Sequence, residues 1–380
     1  MKSRFCPSAS RFSSILLLTV AWVSMLLPPA FPVVMNAESA LPGSGLINAR
    51  AIAYNPATGK VYAVDTSHAA VLIYASAGGQ MRRVTVGADP VSIAVSPTDG
   101  RAYVANGGDG TVSVLDGKSD AIVATIPVGS HPYSVAVSPS SGRVYVTHTF
   151  GDQLSVIDGL THAVSEVKTG SSDLLAINPR KGTIYLLGYG GAVKVLEESS
   201  MKPSEIPVGR HGWGLSLNDV TGAVYIARIE GADLAAIDPG SPNPITIPAG
   251  AIPCAIAVNA SGDRLYVANY GDNTVTVIDA IGSRKIAVVP VGSHPKAIAF
   301  DSSRSLVYVA NTGDGTLTVI DAATNGIVAT LPAGTNPFAL AVVPGSNSLY
   351  VANETDDAPS TIVNLAGVRK PAPHGPTGAP

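Results

Sequence analysis

Along most of the chain, apolar runs of four to six residues are separated by glycine, proline and aspartate. Residues 87–128 show the unit. Gly87-Ala88-Asp89-Pro90 reads as a turn, and Val91-Ser92-Ile93-Ala94-Val95 as a short strand. Ser96-Pro97-Thr98-Asp99-Gly100 is a hairpin loop before a second strand over residues 101–106. Gly107-Gly108-Asp109-Gly110 turns the chain again, and strands over residues 111–116 and 121–128 follow. Short apolar runs bounded by turn residues are the pattern of strands buried on both faces. Four of them joined by tight turns make one antiparallel sheet.

The unit recurs. Tyr62, Tyr103, Tyr145, Tyr185, Tyr225, Tyr266, Tyr308 and Tyr350 are spaced by 41, 42, 40, 40, 41, 42 and 42 residues. A period near forty with four strands per copy predicts an all-β repeat architecture, a β-propeller. In the first strand of every copy one position holds a small residue: Ala53, Ala94, Ala136, Ala176, Ser216, Ala257, Ala299 and Ala341. Sheets that converge on an axis leave least room for that strand. The fourth strand often ends in proline, as at Pro127, Pro207, Pro248, Pro290 and Pro332, which an edge strand tolerates because no N–H is needed there. Strands one to three occur eight times and the outer strand seven times. Eight blades are favoured, and a seven-bladed ring with a spare partial repeat is the alternative. Residues 39–43 (Ser-Ala-Leu-Pro-Gly) resemble the outer strand around Leu331-Pro332, so the N-terminal segment is expected to complete the last blade and close the ring.

The ends bound the domain. Lys2, Arg4 and Arg11 precede a thirteen-residue apolar core over residues 15–27, the layout of an export signal and short for a membrane span. Residues 1–37 are read as a signal peptide, 38–367 as the propeller, and the Pro/Gly-rich 368–380 as a disordered tail. The expectation is a periplasmic or extracellular protein with no transmembrane span in its mature chain. Without the signal, 24 basic residues become 21 against 27 acidic ones, a net charge of −6. With no Lys/Arg cluster to release counterions, nucleic-acid binding is disfavoured. Cys254 is then the sole cysteine, so no internal disulfide forms.

Gly129-Ser130-His131-Pro132, Val135-Ala136-Val137-Ser138-Pro139, Tyr145-Val146-Thr147 and Leu154-Ser155-Val156-Ile157-Asp158 resemble the YVTN-repeat, YncE-like family of β-propellers. The resemblance covers roughly residues 39–367. It implies a propeller serving as a binding, scaffold or surface protein, in a group whose relatives include lactonases. Family members are commonly seven-bladed, from which a count of eight departs. No catalytic motif of the family is matched residue by residue.

Candidate site residues come from two loops placed on the same face. The loop leading into the first strand carries Asn48, Asp89, His131, His211, His294 and Asn336 at one equivalent position. Either they rim a channel or they serve the Gly-x-x-Pro turn itself. The loop after the second strand defaults to asparagine, and His148, Gly188 and Arg228 break that default in three successive copies. Tyr189, Arg210, Trp213 and Glu230 lie beside them, and Trp213 occupies a slot filled elsewhere by Val91, Tyr133, Cys254, Lys296 and Phe338. The binding candidates are therefore Arg210, His211, Trp213, Arg228, Glu230, Tyr189, Asp89 and Asn336. Trp213→Ala and Arg228→Ala are expected to weaken binding with little change in melting. Recurring aspartates, such as Asp116 and Asp158, supply one carboxylate per loop and are read as turn stabilisers rather than calcium ligands. No metal site and no cofactor are expected.

The leading functional expectation is an exported binding or scaffold protein that presents a polar mouth to an unidentified small molecule or protein. An enzyme of lactonase or lyase type is the alternative, using His131, His148, His211 or His294 as acid or base. A third is an accessory role in a periplasmic, quinoprotein-type redox system.

Overall fold

A computed structural model describes residues 52–75, 81–188, 190–209, 212–353 and 360–368. Its strands form eight antiparallel sheets, each taken consecutively from the chain, and the first strands of successive sheets pack against one another around a ring. This is the eight-bladed β-propeller, and the seven-bladed alternative is set aside. Seven sheets have four strands. The eighth has three among the described residues: Pro337–Val342, Ser348–Asn353 and Ser360–Asn364. Residues 39–43, expected to supply its fourth strand, lie outside the described residues. So do the proposed signal and nearly all of the tail. Blade 8 meets blade 1 by other means. Tyr350 donates its hydroxyl to the Ala75 carbonyl at 3.4 Å, and its ring lies 5.7 Å from that of Tyr74. One apolar core runs through both blades.

The repeated tyrosine and the repeated small residue turn out to be cross-strand partners. Ala94 faces Tyr103, Ala136 faces Tyr145, Ser216 faces Tyr225 and Ala299 faces Tyr308, and the remaining blades repeat the pair. All eight tyrosines are at most 4% exposed. Crowding at the axis is one cause of the small residue. The register supplies a second cause: a ring on one strand fills the space that its partner leaves vacant.

Two loop layers cap the disc. On one face, the turn after the third strand is held by an aspartate. Asp116 accepts from the Ser119 and Lys118 amides, Asp158 from Thr161 and Leu160, and Asp321 from Ala323 and Thr324. Those amide bonds hold the Asp116 and Asp158 carboxyls below the usual carboxylate range. Basic side chains on this face reach across to the next blade. Arg101 donates to the Gly159 carbonyl at 2.9 Å and Arg264 to Ala322 at 2.9 Å.

On the opposite face, the loop leading into the inner strand is bonded to the loop after the second strand. Gly107 donates its amide to the Asp89 carbonyl at 2.7 Å, Thr149 to His131 at 3.0 Å, and Thr312 to His294 at 3.0 Å. The two candidate loops of the sequence reading do share one face.

Candidate functional site

The chain enters its inner strand in the same way in most blades. Asp89, His131, Ile252, His294 and Asn336 all adopt the left-handed region, with φ between 50° and 52°. A proline follows in blades 2, 3, 6, 7 and 8, where blade 5 has Gly212, and a β-bulge comes next in all six. Left-handed backbone favours Asn, Asp and, to a lesser degree, His. Turn geometry therefore accounts for these residue types at this position. Asp89, His131, His294 and Asn336 are nonetheless solvent-exposed.

The bulge has a consequence of its own. An extra residue in one strand re-aims its side chain. The bulged residues are Val91, Tyr133, Trp213, Cys254, Lys296 and Phe338, the set noticed in the sequence as alternatives to Trp213. They sit at the loop-face end of the innermost strands. Blade 4 lacks both the proline and the bulge, and Asp173 occupies its place, donating its amide to the Leu187 carbonyl.

On this face blades 5, 6 and 7 bring three rings together. Tyr270 lies between Trp213, at 6.4 Å between ring centroids, and His294, stacked on it at 4.6 Å and 30°. Each ring comes from a different blade: Trp213 from a bulge, Tyr270 from the loop after a second strand, His294 from the loop leading into an inner strand. Trp213 and Tyr270 are half-buried and His294 is exposed, so one edge of the array meets solvent. Backbone bonds hold it. The Tyr270 amide donates to the Ile252 carbonyl at 2.9 Å, and the His294 amide donates to Asn273 Oδ1 at 2.8 Å. Lys296 and Cys254, both nearly buried, lie next to the array in blades 7 and 6. Tyr270 was not among the sequence candidates. The signal was there: it follows Asn269 at the loop position that Gly107, Thr149 and Thr312 fill elsewhere, a position where Tyr189 is also found.

Two candidates are placed differently from the sequence expectation. His148 is 1% exposed and bonded within its own blade. The Ser130 carbonyl, 2.9 Å from Nδ1, can only accept, so Nδ1 carries the proton and Nε2 faces the Ser155 hydroxyl at 2.8 Å. This is the place that Asn106 takes in blade 2, where its amide donates to Thr111 and Ser113. Arg228 is 8% exposed and donates to Asp233, Val208 and Thr246. Neither side chain faces a ligand space. Breaking the asparagine default there changes how the blade is tied internally. Glu230 lies exposed in a single 3₁₀ turn, Ile229–Gly231. Tyr189, Arg210 and His211 lie outside the described residues.

Burial pushes the His148 imidazole below its ordinary 6.5. The unfolded chain therefore takes up this proton first as pH falls. The contribution of neutral His148 is fully present above pH 6.5 and is lost as pH drops through the depressed folded-state value. His148→Asn leaves an amide in the place that asparagine takes in blade 2 and removes the titration. Urea unfolding at pH ~7.5 and ~5 is expected to show a smaller acid-side loss of stability in the variant than in the parent. Equal losses would contradict this assignment.

Among the described residues no cluster of three or more His, Cys, Asp or Glu is arranged to hold a metal, and no helix is long and apolar enough to cross a membrane. No known family profile matches the chain, and no curated protein matches its sequence. Many solved structures share its architecture. One is a chain of hydrazine synthase from Kuenenia stuttgartiensis, 19% identical, with a TM-score of 0.59, covering 74% of this chain and 96% of that one. At that identity the likeness shows the fold alone.

Proposed function

We propose that this chain is an exported, YVTN-type propeller that binds a small molecule or an exposed segment of a protein on its loop face, over blades 5 to 7. The carrying observation is the array of Trp213, Tyr270 and His294, contributed by three blades and open to solvent along one edge. Aromatic rings left half-exposed on a preformed surface offer apolar contact at small entropic cost. Trp213 is the one tryptophan at its repeat position and Tyr270 stands where Gly107, Thr149 and Thr312 stand elsewhere, whereas the tyrosines that serve only the blades recur eight times. The repeat motifs carry the family reading. The basic start and the apolar run over residues 15–27 carry export. A lactonase or lyase reading loses His148 to the blade interior, and no feature of the site favours it.

Trp213 is the only tryptophan after residue 37, so its fluorescence reports on this one place. Native mass spectrometry of protein purified from its own host identifies the retained ligand. Its titration is expected to perturb Trp213 emission, and Tyr270→Ala to weaken binding by roughly tenfold, the worth of a stacked ring, with a melting temperature near that of the parent. A retained ligand that leaves Trp213 emission untouched and binds Trp213→Ala and Tyr270→Ala normally would place the site elsewhere.

A further inference from the structure

Between blades 4 and 5, on the face opposite the aromatic array, the regular packing opens into a cavity of about 400 Å³. That volume falls within the range of small-molecule pockets, roughly 300–1,000 Å³. Two departures from the repeat face each other across it.

In blade 5 the third strand, Asp233–Ile237, is followed by Asp238-Pro239-Gly240-Ser241-Pro242. The aspartates at this place in blades 2, 3, 6 and 7 accept amides from the following turn. Asp238, followed by Pro239, makes no such bond among the described residues. Ser241 donates instead to the backbone carbonyl of residue 238, which leaves the carboxylate exposed at the cavity. In blade 4 the same place is taken by Glu197, whose carboxylate bonds only the Thr183 hydroxyl, at 3.1 Å to each oxygen. Glu205 from the outer strand adds a third carboxylate to the lining. None of the three forms an ion pair with another described residue, although Lys181 also borders the space. Val195, Ile206, Ile237 and Pro239 supply apolar wall.

The second observation concerns Tyr185, the repeat tyrosine of blade 4. It is 4% exposed and lines the cavity. Its hydroxyl has no hydrogen-bond partner among the described residues. By contrast, the hydroxyls of Tyr145 and Tyr350 each reach a neighbouring blade, donating to Glu198 and to the Ala75 carbonyl. A tyrosine hydroxyl that borders a cavity and has no protein partner is available to a bound donor or acceptor.

We infer that the cavity between blades 4 and 5 is a binding site for a primary ammonium group carried on an unbranched aliphatic stem. The ammonium donates to Glu197, Asp238 and the Tyr185 oxygen, while the stem lies against Ile206, Ile237 and Pro239. The chemistry is that of a free alkylamine or of a lysine side chain presented by a peptide. This site is independent of the aromatic array.

The test is isothermal titration of the full mature protein at low salt with two probes, 1,5-diaminopentane and lysine blocked at both backbone ends. Saturable binding of either is expected, weakened at least about tenfold in Glu197→Gln and in Asp238→Asn, since each removes a charge-assisted bond. Tyr185→Phe, whose lost hydroxyl satisfies nothing in the protein, is expected to melt as the parent does and to bind about threefold more weakly. Trp213→Ala is expected to bind the amine normally. Tighter binding of the diamine identifies a free amine as the physiological class, and tighter binding of the blocked lysine identifies a peptide. No saturable binding of either probe, or parental affinity in both carboxamide variants, overturns the proposal.

Discussion

Replacing Arg228 by alanine is expected to destabilise the protein by about 3–5 kcal/mol, the usual cost of removing one partner from a buried ion pair. The guanidinium ties three parts of blade 5 together: Nε donates to Asp233 Oδ1 at 2.7 Å, one terminal nitrogen to the Val208 carbonyl at 2.7 Å, and the other to the Thr246 hydroxyl at 3.0 Å. Truncation leaves a carboxylate and a carbonyl without their donor in a region where water has little access. The expected readout is a melting temperature lowered by roughly 5–7 °C, taking about 1.5 °C per kcal/mol for a propeller of roughly 320 residues. This reverses the expectation from sequence that Arg228→Ala spares melting.

Arginine also cannot be exchanged here for the asparagine of the other blades. In blades 2, 6 and 7 that asparagine spans two hydroxyls on the third strand: Thr111 and Ser113, Thr274 and Thr276, Thr316 and Thr318. Blade 5 offers Asp233 and Ala235 instead. Arg228→Asn is therefore expected to stay destabilised, by ~2 kcal/mol or more. A parental melting temperature for Arg228→Ala would show that these bonds contribute little.

The second large effect is chemical. Cys254 is bulged from the inner strand of blade 6, yet its sulfur turns inward, 3.3 Å from the Pro295 carbonyl and 3.5 Å from that of Ala268. Burial pushes its thiol up to about 12, against which the nearby Lys296 charge acts only in part. Well below that value the thiolate is roughly a thousandfold scarcer than for an ordinary thiol, and the thiolate is the species that reacts. Iodoacetamide in the folded protein is therefore expected to label Cys254 at least about a thousandfold more slowly than in guanidinium, followed on the Cys254 peptide by mass spectrometry. Comparable rates in both states would mean that the inner strand of blade 6 opens readily, and the packing beside the aromatic array would have to be redrawn.

Much of the fold was legible because a propeller is built from local pairings. Each blade closes within about forty residues, so the tyrosine period, the glycine and proline punctuation and the small inner-strand residue all follow from contacts near in sequence. The aspartate turns were legible for the same reason. The proposed site is marked in the sequence only in part. Trp213 stood out as a departure from the repeat, and His294 because histidine recurs at its loop position with His131 and His211. Tyr270 did not, because tyrosine is the commonest aromatic residue of the chain and its loop position varies from blade to blade. His148 and Arg228 were misplaced because a departure from the repeat looks the same whether it serves a ligand or the blade itself.

What the sequence alone determined is the blade: four strands, the turns between them, the recurring tyrosine and small residue, and a repeat count that favours eight. What only the tertiary structure decided is how neighbouring blades meet. The array of Trp213, Tyr270 and His294 and the cavity bounded by Glu197 and Asp238 both join residues of different blades. Which side chains meet there depends on the bulge in blade 5 and on the rigid turn at Pro239. Such features shift a side chain by ångströms without altering the period, and the sequence records them only as exceptions whose direction packing has to supply.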